Sequence, residues 1–223
     1  FEMHYQSDLD LIFLHDSEGE QQHTNGDKAV ENSVYFARLA QKIISMTSVL
    51  TASGKLYEID SRLRPEGSSG LLVSSTQAYL RYQLEKAWTW EHQALVRARV
   101  VAGDPALQPE FDRIREQVLR IPRDPEKLRQ DIAEMRERIY RNKRPPEGER
   151  IDLKQSRGGM VDIEFLVQFW VLAEANNIGS ECLYSDNIRL LNELFRLNLI
   201  TSSQSQLVEI YQAYHRLLHE SVL

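Results

Sequence analysis

The chain has 223 residues, 42% of them hydrophobic and 27% charged, enough for one large domain or two modest ones around a real core. A net charge of −6 argues against a nucleic-acid polymer as partner. No apolar run is long enough to span a bilayer and no secretory signal is present, so no membrane partner is expected and a reducing cytoplasm fits the sequence. The single cysteine, Cys182, excludes an intramolecular disulfide and reads as a buried or inert thiol.

Phe1 is not Met and the first strand begins almost at once, so the sequence reads as a piece of a longer polypeptide. That strand opens on Ser7-Asp8-Leu9-Asp10 and continues as Leu11-Ile12-Phe13-Leu14. Residues i and i+2 of a strand share a face, so Asp8 and Asp10 would project side by side, about 7 Å apart. The residues after them are apolar at both parities, as in a strand covered on both faces. Carboxylates held this close repel, and a positive group is required between them. A divalent cation such as Mg²⁺, which takes oxygen ligands, is the simplest candidate; two solvated acids at a strand entrance are the plain alternative.

Residues 16–28 read as an exposed polar loop. A helix follows to about Leu50, with Phe36, Leu39, Ile43, Met46 and Leu50 forming an apolar stripe expected to face the core. Residues 55–64 then read as a strand, with Glu58, Asp60, Arg62 and Arg64 on one face. Asp60 becomes a third metal-ligand candidate, and Arg62 and Arg64 become phosphate-binding candidates, because a guanidinium grips phosphate oxygens in a bidentate fork. The alternative is an Asp60–Arg62 ion pair on a wet face. Gly67–Gly70 is a turn, and residues 71–74 read as a strand. Ser74 and Gln77 have capping-box spacing for a helix starting near Ser75.

Residues 87–101 read as helical, with Trp88 and Trp90 as core aromatics. Asp104-Pro105 and Asp124-Pro125 each place an N-cap acid before an N1 proline, opening two amphipathic helices, the second ended by Pro145-Pro146. Residues 151–159 form a short extended piece and a glycine turn. Met160 to Ala175 is apolar nearly all round and reads as a buried helix, with Asp162 and Glu164 in its first turn. Asp186 caps a helix to about Asn198, and Thr201 with Gln204 makes a capping box before the last helix.

Four of these segments together resemble one family. Ser7–Asp16, Leu56–Pro65, Trp88–Arg99 and Gly158–Phe165 look like the bacterial bifunctional glutamine synthetase adenylyltransferases, in the same order and over essentially the whole chain. The wording of Trp88–Arg99 and the His15-Asp16 ending are closer to the half that adds AMP than to the half that removes it. The resemblance implies an α+β fold: a DNA-polymerase-β-like nucleotidyltransferase domain with a small mixed sheet over residues 1–103, followed by an all-helical domain over 104–223. It implies Mg²⁺ held by Asp8, Asp10 and Asp60 and ATP as substrate, with Ser7 and Lys154 in family motifs around the nucleotide; the phosphate-binding roles of Arg62 and Arg64 rest on strand parity. Lys154, Asp162 and Glu164 lie in a family motif, and capping and packing explain the two acids equally well.

The implied activity is transfer of AMP to a tyrosine of glutamine synthetase, with the PII signal protein and glutamine as regulators of the full-length enzyme. The family's Gly-Gly pair before Asp-x-Asp is not in this sequence, and the family runs on past Leu223, so the fragment alone is expected to be impaired. Two other readings stay open at this point: phosphorolytic removal of AMP, and a non-catalytic docking module.

Overall fold

A computed structural model describes residues 7–17, 22–52, 54–55, 57–142 and 152–222. The described residues form two compact units, one of residues 7–87 with 102–111, the other of residues 88–101 with 112–222. Residues 88–101 group with the helical unit. Among the described residues no helix is long and apolar enough to cross a membrane.

The first unit holds the six strands found among the described residues. The expected strand from Leu9 breaks at Leu11–Ile12 into β1 (Leu9–Asp10) and β2 (Phe13–His15), each with its own partner. β1 pairs in parallel with β5 (Ile59–Asp60), and β2 in parallel with β6 (Val73–Ser75). β3 (Leu50–Thr51) and β4 (Gly54–Lys55) make an antiparallel hairpin. The result is three two-stranded ladders of mixed direction rather than one continuous small sheet. The predicted strand over 55–64 is likewise short. It stops at Asp60 because that carboxylate accepts the backbone N–H of Arg62 (2.8 Å), bending the chain as Asp side chains do in turns.

Parallel strands need a crossover, and α1 (Asn32–Ser48) supplies it, packing on β5 and β6. Its core face is not the predicted stripe. Ala40 is buried and Phe36 and Ile44 are partly covered, whereas Leu39, Ile43, Met46 and Leu50 are 38–73% exposed. Two narrow ladders cover only one side of a helix that is apolar over a wide arc. Phe36 stacks on the buried His15 ring (centroids 5.0 Å apart), and His15 Nδ1 accepts the Ser17 N–H (3.1 Å). α2 (Thr76–Glu85) starts one residue later than its sequence suggests: Ser75, not Ser74, is the N-cap, its hydroxyl accepting from Ala78 N (3.1 Å).

The helical unit is built around α6 (Met160–Glu174), which contacts α3 (Thr89–Arg97), α5 (Pro125–Asn142), α7 (Asn187–Arg196) and α8 (Ser202–Val222). Val96, Leu119, Val167, Val171, Leu190 and Tyr211 are fully buried in its core, each aliphatic side chain contributing about 1.5–3 kcal/mol. Three predicted caps are in place, with Asp104, Asp124 and Asp186 accepting from Ala106, Lys127 and Arg189 amides at 2.7–2.9 Å. Asp104 opens a short 3₁₀ turn that runs into α4 (Gln108–Leu119). Pro145-Pro146 and the Thr201–Gln204 box lie outside the described side chains. Trp88, expected in the core, is 70% exposed because it is the N-cap residue of α3 and precedes the buried face. Cys182 is buried as expected, and burial raises its thiol pKa.

Three arginines of α4 and the turn after it tie this unit together through helix ends. Arg115 is buried and donates to the carbonyls of Leu95 (3.0 Å), Val96 (2.5 Å), Leu183 (2.7 Å) and Tyr184 (2.9 Å). Arg120 donates to the carbonyls of Ala175 and Ile178, and Arg123 to those of Val118, Leu119 and Ile121. Cations at carbonyl-rich helix C-termini complement the exposed dipole. Burial lowers both Arg115 and Arg123 to about 10, which leaves them charged at neutral pH.

Two outcomes follow from this packing. Arg115→Ala strands four carbonyls and should lower unfolding free energy by about 3 kcal/mol in urea titrations; a change near zero would show that these bonds contribute nothing net. Burial lowers the His15 pKa below 6.5. The unfolded chain then binds the proton that folded His15 resists, so this contribution is intact above about pH 6.5 and lost as pH falls below it. Thermal unfolding between about pH 7 and about pH 5 should drop less for His15→Gln than for the unsubstituted chain; equal drops would remove His15 as a cause.

Candidate active site

The register of β1 against β5 builds the site. Leu9 stands opposite Ile59 and Asp10 opposite Asp60, with ladder hydrogen bonds from Leu9 N to Glu58 O and from Leu11 N to Asp60 O, both 2.8 Å. Neighbouring strands lie about 4.8 Å apart and paired residues in a parallel ladder share a face, so Asp10 and Asp60 are immediate neighbours. Asp8 joins them by the two-residue period of the strand. The ladder thus brings the Asp8-Leu9-Asp10 segment alongside Asp60, fifty residues beyond Asp10 in the sequence. Asp8 and Asp10 are exposed, and Asp60 is partly covered.

Arg62 balances this charge. Its Nε donates to both Asp60 carboxylate oxygens (3.0 and 2.8 Å), and its Nη2 bonds Oδ2. These hydrogen bonds hold the Asp60 carboxyl below the usual range and raise the Arg62 pKa, with further contributions from the charges of Asp10 and Asp8. Arg64, two residues on, is used differently. Its Nη1 donates to Ser61 O (2.8 Å) and Ser61 Oγ (3.0 Å), its Nη2 to Ser68 O (3.0 Å) and its Nε to Gly70 O (3.2 Å). The shared strand face expected for Arg62 and Arg64 does not form, because both lie in the turn after β5. Arg64 shapes that turn, and its donors point at carbonyls rather than outward. Gly70 is required there: a Cβ would sit 1.9 Å from Pro65 O.

The donor set of Asp8, Asp10 and Asp60 is all oxygen and suits a hard divalent cation such as Mg²⁺ or Mn²⁺ in kind. Among the described residues, no three acidic, histidine or cysteine side chains are yet gathered tightly enough to hold an ion. The Asp60 carboxylate is turned onto Arg62 instead.

Ser7 immediately precedes the acidic pair and is partly covered. Glu58 is exposed and precedes β5, and its carbonyl accepts the Leu9 amide (2.8 Å). Lys154 lies exposed in the turn before α6, in the helical unit. Asp152 Oδ1 organises this turn by accepting from the Lys154 and Gln155 amides (2.8 and 2.9 Å). The acids of the following motif are engaged in packing. Asp162 accepts from Arg136 Nε and Gly158 N (both 2.5 Å), and Glu164 from Arg97 Nη1 (3.1 Å) and the Tyr211 hydroxyl (2.8 Å). Glu91 reaches back to the Trp88 amide (2.9 Å) as part of the α3 cap.

Comparison with known proteins places these features. Residues 1–114 match the family model for glutamate-ammonia ligase adenylyltransferase, and residues 126–220 match that for GlnD PII-uridylyltransferase. The chain is 50% identical over its full length to the bifunctional glutamine synthetase adenylyltransferase/adenylyl-removing enzyme of Thioalkalivibrio sulfidiphilus, covering 23% of that protein. Enzymes of the same name from Nitrosococcus oceani (47% identity, 96% of this chain, 22% of theirs) and Pseudomonas aeruginosa (45%, 97% and 23%) are similar to it as well. The chain thus spans just under a quarter of the length of these relatives. With the acidic ladder inside a family match that covers over half of the 223 residues, the chain belongs to the glutamate-ammonia ligase adenylyltransferase family.

Proposed function

We propose that this chain carries the AMP-adding centre of a glutamine synthetase adenylyltransferase, transferring AMP from ATP to a tyrosine hydroxyl of glutamine synthetase. The observation that supports it is the in-register pairing of Asp10 with Asp60 beside Asp8. Divalent ions bound there would neutralise the triphosphate and acidify the incoming hydroxyl, as in two-metal phosphoryl-transfer sites. Asp8 and Asp10 would hold the ion that binds the triphosphate, and Asp60 would complete the ligand set. The tyrosine oxygen bonds to the α-phosphorus, the bond from that phosphorus to the bridging oxygen breaks, and pyrophosphate leaves. The tyrosine proton passes to the Asp60 carboxylate. While Arg62 grips it, Asp60 is a poor base, because its pKa is held down. Arg62 turned toward the phosphates frees Asp60 and neutralises charge on the phosphate oxygens. The Ser7 hydroxyl contributes a hydrogen bond to the triphosphate, and Arg64 keeps the turn that presents Arg62. In this reading the longer polypeptide is a cytoplasmic enzyme regulated by glutamine and the PII protein.

In the longer polypeptide, Asp8→Asn or Asp60→Asn should abolish transfer of α-phosphate label from ATP to glutamine synthetase, a loss of at least about a thousandfold (order of magnitude for a lost charge-stabilising group), with an unchanged circular dichroism spectrum. Normal transfer by either variant would overturn the assignment. Phosphate-dependent release of ADP from adenylylated glutamine synthetase at this centre would show that it removes AMP instead.

A further inference from the structure

The Asp60–Arg62 pair is an exposed guanidinium on a more buried carboxylate, as Arg189 is on Asp186 and Arg196 on Glu193, and it differs from them in standing on a ladder that sets a second acid, Asp10, opposite Asp60. Arg115 and Arg64 are fixed by backbone carbonyls on several sides. The Arg62 side chain is 79% exposed, and its side-chain hydrogen bonds go to Asp60, whose side chain is only 19% exposed. The charges of Asp10 and Asp8 also act on it. The guanidinium therefore lies on Asp60, which the ladder sets opposite Asp10, where repulsion between neighbouring carboxylates calls for a cation, and its exposure leaves it little packing. Exposed ion pairs of this kind are weak and exchange readily. The turn does not depend on it, since Arg64 holds Ser61, Ser68 and Gly70 together.

We propose that Arg62 is a charge-exchange latch. It neutralises the acidic ladder in the metal-free protein, yields the carboxylates to a divalent ion, and then grips the phosphates that arrive with the ion. This rests on the reading that Asp8, Asp10 and Asp60 hold that ion. The latch has a signature of opposite signs. Removing Arg62 relieves competition for the carboxylates, so the bare ion binds more tightly. It also removes a bidentate phosphate contact, so the metal–nucleotide complex binds more weakly. A purely structural arginine would shift both in one direction or neither.

The test is Mn²⁺ binding to the 223-residue chain, read from the free-ion electron paramagnetic resonance signal, alongside Mn–ATP binding by calorimetry. Arg62→Gln should bind Mn²⁺ about fivefold more tightly, the upper range for loss of an exposed ion pair, and Mn–ATP about tenfold more weakly, as for loss of a charge-assisted phosphate contact. Arg81→Gln, on α2 away from the ladder, should change neither and controls for net charge. Equal Mn²⁺ affinity in the unsubstituted chain and Arg62→Gln would overturn the latch while leaving the metal site standing. Tighter binding of both Mn²⁺ and Mn–ATP would overturn the hand-over to phosphate. Absence of Mn²⁺ binding in both proteins would overturn the metal site itself, and the latch with it.

Discussion

The site rests on a parallel ladder two residues long. Hydrogen bonds from Leu9 to Glu58 and from Leu11 to Asp60 fix which residue of β5 stands beside Asp10. A slip of one position would turn Asp60 to the opposite face and dissolve the acidic edge. A ladder this short cannot hold its own register, so it borrows stability. β2 and β6 form a second parallel pair directly downstream, and α1 packs on both β5 and β6. The break at Leu11–Ile12 lets one extended segment serve two partners, with the acids at its open end and the apolar residues at its covered end.

Guanidinium groups do two kinds of work in this chain, separated by burial. In the helical unit Arg115 and Arg123 are tied to carbonyls at helix ends, and their positive charge is part of the fold. Beside the acidic ladder Arg62 stands in water against carboxylates, where its charge is exchangeable. The first arrangement gives rigidity; the second gives an electrostatic balance that a cation of higher charge can tip.

What the sequence made legible was local. Asp104, Asp124 and Asp186 cap through amides two or three residues away, and the apolar character of Met160–Glu174 nearly all round marks a buried helix. Asp8 and Asp10 stand out as a pair and strand parity marks Asp60 as a third candidate, whereas its place opposite Asp10 is not legible, because register is a long-range property. The strand predicted over 55–64 failed at Asp60, where a side-chain bond to the Arg62 amide competed with the ladder. The α1 stripe is apolar yet largely exposed, since how much of a helix is covered depends on the width of what it packs against. The clamp by Arg115 left no local trace. Its acceptors lie about twenty and nearly seventy residues away in sequence, and nothing in the surrounding α4 pattern distinguishes it from a solvated arginine.

The most direct test of this account is X-ray diffraction at the manganese absorption edge, from crystals of the chain grown with Mn²⁺ and a non-hydrolysable ATP analogue. The account predicts an anomalous peak ligated by carboxylate oxygens of Asp8, Asp10 and Asp60, with the Arg62 guanidinium on phosphate oxygens. A peak elsewhere, or a nucleotide bound while Arg62 still grips Asp60, would contradict it.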